Sequence, residues 1–109
     1  TRDAQAAIIK KELSKIVGAK AASYLRSGAG HVTNNNMASA FHSLSEGYGF
    51  IFSLQFTQKA DGTPYMTNTE VTSKLAELDN GNGLWDRTAA ELTAMADAID
   101  NATEINTNL

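Results

Sequence analysis

Residues 37–56 read MASAFHSLSEGYGFIFSLQF. Met37, Phe41, Leu44, Tyr48 and Ile51 recur at alternating steps of four and three, the period of one helix face. The spacing predicts a helix from about Met37 to Phe56 with a seam that an antiparallel helical neighbour buries. The preceding loop, HVTNNN (31–36), offers Asn and Thr side chains able to cap it. Gly47 and Gly49 lie in the helix interior, where each costs about 1 kcal/mol relative to alanine. That cost predicts close approach by another helix, with Tyr48, Phe50 and Phe52 filling the space around it; the alternative is a kink or break at this point.

Upstream, DAQAAIIKKELSKIVGAKAASYL (3–25) places Ile9, Leu13, Ile16, Val17, Ala21, Tyr24 and Leu25 at helical steps. The other face holds Lys10, Lys11, Lys15 and Lys20 and reads as a solvated basic face, since the aromatic anchors of a lipid-binding helix are missing. This helix is expected to stop at Ser27-Gly28-Ala29-Gly30. Downstream, KADGTPYM (59–66) reads as an ordered loop. Thr67-Asn68-Thr69-Glu70 and Thr88-Ala89-Ala90-Glu91 have the spacing of capping boxes. The first starts a short helix with Val71, Leu75 and Leu78 on one face, ending at Asp79-Asn80-Gly81-Asn82-Gly83. The second starts a helix with Leu92, Met95, Ala96 and Ile99 inward and Asp97, Asp100 and Glu104 as a solvated acidic stripe. The last residues, TEINTNL (103–109), are expected to fray. The expected fold is all-α, an antiparallel bundle of about four helices in a single domain that is part of a larger helical protein.

At 109 residues, 42% hydrophobic and 19% charged, the chain has the composition of a globular domain. It has no cysteine, which removes disulfides, thiolate nucleophiles and zinc–cysteine sites. No apolar run is long enough to insert directly in a bilayer. Residues 1–57 carry six Lys/Arg and three Asp/Glu; residues 58–109 carry three and nine. This asymmetry favours packing of the halves on each other, and a basic stripe with interleaved aromatics, as nucleic acid requires, is missing.

Chemistry centres on His42 and Glu46, one helical turn apart. Such a pair can hold a divalent metal, transfer a proton, or hydrogen-bond internally; as metal ligands the two are an incomplete set. Tyr48 and Phe50 beside them could shape a pocket for a planar group such as haem, or simply fill the core. The 79–83 turn fails as a calcium loop: Gly81 and Ala90 stand where oxygen ligands are needed. Nucleophile elbows, phosphate loops and His-Glu-x-x-His helices are not found in the sequence.

With FHSLSEGYGF (41–50), DGTPY (61–65) and GNGLWD (81–86) in view, the chain resembles a family of bacterial proteins, number 4856 of the domains of unknown function. The resemblance implies an exported, periplasmic or lipid-anchored protein of which this chain is a C-terminal portion. A more distant similarity is to imelysin-like envelope proteins, whose G-x-H-x-x-E motif is altered here by Ala40 and by the four-residue step from His42 to Glu46. It implies a role in iron or haem acquisition by binding, or alternatively a metallopeptidase, with His42 and Glu46 as metal ligands. A purely structural or interaction domain is the third reading. The expected partners are the N-terminal remainder of the same protein or a second copy.

Overall fold

A computed structural model describes residues 1–104, which form four α-helices: α1 (Arg2–Thr33), α2 (Met37–Ser53), α3 (Asn68–Asp79) and α4 (Ala89–Ala102). Short 3-10 turns at Leu54–Phe56 and Gly83–Asp86 follow α2 and precede α4, and among the described residues there is no strand. α1 is the spine: α2 and α4 both pack on it, and α3 rests on α2. The core joins Ala21, Ala22 and Leu25 of α1 to Leu44 and Ile51 of α2, Val71 and Leu78 of α3, and Leu92, Ala96 and Ile99 of α4.

α1 runs through the Ser27–Gly30 segment where its end was expected. Gly28 sits at the interface with α2, where the Leu44 side chain occupies the place a Cβ would take. Close packing here compensates the low helix propensity of glycine. The helix ends instead at Asn34, and Asn35 adopts a left-handed φ of 58°, a conformation Asn tolerates. Asn36 then caps α2 by accepting from the Ser39 amide, as the sequence predicts.

The seam of α2 is rotated from the expected one. Ala40, Ser43, Leu44, Gly47 and Ile51 are buried, while Phe41 is exposed and stacks on Trp85 with centroids 4.9 Å apart. Small side chains let the two backbones approach: a Cβ on Gly47 would lie 3.2 Å from the Tyr24 Cβ. The prediction of close packing therefore holds at Gly47 and fails at Gly49, where a Cβ would meet nothing within 4 Å. Thr103, expected to fray, is fully buried against Gly18; residues 105–109 lie outside the described residues.

Both capping boxes form. Thr67 accepts from the Glu70 amide and Glu70 from the Thr67 amide; Thr88 and Glu91 do the same for α4. These backbone amide bonds hold both glutamates below their ordinary value of 4.5. A carboxyl whose pKa is depressed by folding contributes stability above its unfolded pKa and loses it as pH falls through the folded one. The melting temperature is therefore expected to decline as pH falls below 4.5. A Glu70→Gln/Glu91→Gln double variant, which keeps the amide bonds without titrating, is expected to show a shallower decline; identical acid limbs would assign the effect to other groups.

Candidate functional site

His42 and Glu46 both lie exposed on α2, and among the described residues no hydrogen bond or ion pair joins them or engages either. The pair is not an internal brace. Among the described residues no three His, Asp or Glu side chains are grouped to hold a metal ion. Tyr48 and Phe50, two residues apart on a helix, diverge to different sides. Tyr48 turns to α3 and donates to Asp79 Oδ2 at 3.0 Å, a bond that raises its phenol pKa. Phe50 stacks on Tyr24 of α1, centroids 5.6 Å apart and planes 17° from parallel. The structure thus brings together only Glu46 and Phe50 of the four. They line a shallow hollow with Ser45, Gly49 and Ser53.

A larger feature lies on α1, whose apolar residues are exposed along its first half. Ile8, Ile9, Leu13 and Ile16 are 61%, 58%, 57% and 55% exposed. Ile9, Leu13, Ile16, Lys20 and Tyr24 follow steps of four and three and share one face of α1, so the strip leads directly to the Tyr24–Phe50 stack and the hollow beside it. The neighbouring helices use other faces: α4 reaches α1 at Gly18 and Arg26, and α3 meets α2 at Tyr48. Arg2 and Lys20 stand on the line of the strip, one beyond each end of the Ile9–Ile16 run, with Glu12 beside it and Glu46 at the hollow.

The family whose model is described as domain of unknown function (DUF4856) matches residues 1–105, which takes in all four helices and this whole face. The chain belongs to DUF4856. No curated protein and no solved structure matches it.

Two charged groups of the DUF4856 domain that sequence reasoning passed over are structural anchors. Asp100, expected on a solvated stripe, is 2% exposed and pairs with Arg26 at 2.6 Å, tying α4 to α1, while Asp97 joins the same guanidinium at 2.9 Å. The two carboxylates raise the Arg26 pKa further. Arg87, with its side chain 8% exposed, donates Nη1 to the Glu77 carbonyl and to Glu91 Oε2, and Nη2 to the Asn80 carbonyl. It thereby gives a second donor to two carbonyls at the end of α3, which also accept from the Asn80 and Gly83 amides. A lone arginine in a glycine-rich connection carries no periodic signal, so only the fold reveals its role.

Proposed function

We propose that this DUF4856 domain is a non-enzymatic docking module whose α1–α2 face receives an amphipathic helix with acidic flanks. The carrying observation is the exposed Ile9–Leu13–Ile16 strip, separated from the Tyr24–Phe50 stack on the same face only by Lys20. Four neighbouring aliphatic side chains, each more than half exposed, are the kind of surface that marks an interaction site. Charge complementarity selects acidic flanks: Arg2 and Lys20 stand on the line of the strip, one beyond each end of the Ile9–Ile16 run. Gly49 supports the same reading, because an open helix-interior glycine with no neighbour leaves room for a backbone to approach. In the envelope setting implied by the sequence resemblance, iron or haem capture through His42 and Glu46, or metallopeptidase chemistry, would need further ligands supplied by the docked partner.

The test uses two synthetic amphipathic helices of about five turns with identical leucine stripes, one flanked by Glu and one by Lys, titrated calorimetrically. The Glu-flanked peptide is expected to bind roughly tenfold more tightly or better. Leu13→Glu/Ile16→Glu is expected to abolish binding while leaving the helical circular dichroism and melting temperature intact. Gly49→Ala is expected to stabilise the free domain by about 1 kcal/mol and to weaken the peptide complex. Equal affinity for both peptides, or none for either, overturns the reading. So do a dimer dispersed by Leu13→Glu, which would make a second copy the occupant, and binding to anionic vesicles alone.

A further inference from the structure

The hollow beyond the docking strip is built from two rows of α2, Ser45, Gly49 and Ser53 along one and Glu46 and Phe50 along the other, each in one-turn steps. Gly49 opens it, since a Cβ there would meet nothing within 4 Å, and Phe50 is fixed at its edge by stacking on Tyr24. Its polar groups share one character. The Ser45 hydroxyl donates to the Phe41 carbonyl at 2.8 Å and the Ser53 hydroxyl to the Gly49 carbonyl at 3.0 Å. Both hydroxyl protons are therefore committed within the helix, and the serine oxygens can only accept from a ligand. Glu46 adds a carboxylate that, among the described residues, no cation engages. All five residues are exposed or half-buried, so a ligand can touch each of them.

We infer that this hollow holds the guanidinium of an arginine side chain carried by the docked helix. The inference rests on the docking reading for its occupant, and adds a register to it. A surface of acceptors without donors repels an anion and leaves a neutral group with no charge to answer its own. A cation meets the Glu46 carboxylate, the two serine oxygens and the Phe50 ring in one place. Arginine suits this set better than lysine, because its planar group lies flat on an aromatic ring while directing several N–H groups at separate oxygens; an ammonium is a compact and strongly hydrated charge. Lys20 and Tyr24 are one turn apart on α1, so the matching motif in the partner is an acidic residue opposite Lys20 with an arginine one turn further along.

N-acetyl-arginine amide tests the hollow without any helix, followed by NMR at the Phe50 ring protons. It is expected to shift them saturably, the lysine analogue to bind roughly twofold more weakly or worse, and the citrulline analogue, alike in shape but uncharged, to leave them unmoved. Glu46→Gln is expected to lower the arginine affinity by roughly two- to fivefold, the range of an exposed ion pair. Gly49→Leu is expected to abolish the response by filling the hollow, and it keeps the fold because leucine is a good helix former at a position with no neighbour. No saturable shift with arginine, an equal response to citrulline, or undiminished binding to the Gly49→Leu variant would each overturn the site. A second titration places arginine or citrulline one turn beyond the acidic flank of the Glu-flanked peptide, where arginine is expected to tighten binding by roughly two- to fivefold. Peptides that bind equally overturn the arginine and leave the docking strip standing. A response to the arginine amide with no binding of either peptide overturns the docked helix as the occupant.

Discussion

Leu44→Ala is expected to destabilise the domain by about 3–5 kcal/mol, and adding Gly28→Ala is expected to recover part of that loss. Leu44 is fully buried, and its side chain stands where the Cβ of residue 28 would be. In the wild-type background Gly28→Ala must push this side chain into a filled core. Overpacking of that kind costs about 1–3 kcal/mol, more than the roughly 1 kcal/mol gained in helix propensity. Once Leu44 is alanine, the same methyl group enters vacated space and the propensity gain counts. Gly28→Ala therefore changes sign between backgrounds, destabilising in the first and stabilising in the second. A double-mutant cycle by urea denaturation measures it, and additivity within about 0.5 kcal/mol would refute the claimed interlock.

Arg87→Ala is expected to cost about 1–3 kcal/mol, because it removes a buried guanidinium that joins the end of α3 to α4. The carbonyls of Glu77 and Asn80 would each lose one of two donors, keeping the Asn80 and Gly83 amides, and Glu91 would lose a neighbour at 3.3 Å. Hydrogen exchange gives the spatial signature: amides in the last turn of α3 and the 80–88 connection should lose protection first, with α1 and α2 following only at global unfolding. Arg87→Lys keeps the charge and one of the carbonyl bonds, so it should fall between. A loss below about 0.5 kcal/mol for Arg87→Ala would mean that water replaces the guanidinium without penalty.

Short-range rules were legible in the sequence. Threonine and glutamate at the spacing of a capping box set the starts of α3 and α4, and Asn36 sets that of α2, because these bonds lie within one turn and need no tertiary knowledge. The inward face of α4 followed from its period for the same reason. What could not be read was how much of an apolar face would find a partner. Ile9, Leu13 and Ile16 have the same spacing as residues that are buried, and only the reach of the other helices separates them. Glycines 28 and 30 read as a stop, yet Gly28 is a seat for Leu44, a distinction that depends on a residue sixteen positions away. Likewise Asp100 and Asp97 look alike in the sequence, and Arg26 lies far back along the chain. At the candidate site, the one-turn step put His42 and Glu46 on one face but carried no information on whether α1 would leave a hollow open beside Glu46 and Phe50.

The pairing of the first helix with the last also bears on how the chain reaches its fold during synthesis. α1 and α2 are neighbours in sequence and can form a hairpin as soon as both have emerged. α4 comes last, and it alone closes the groove around Gly18, through Thr103, and neutralises Arg26, 71 residues behind Asp97. A nascent chain therefore carries a finished hairpin with one flank of α1 uncovered until α4 has emerged. Of the four helices, the one made earliest waits longest for protection, which makes α1 the natural place for a chaperone to hold.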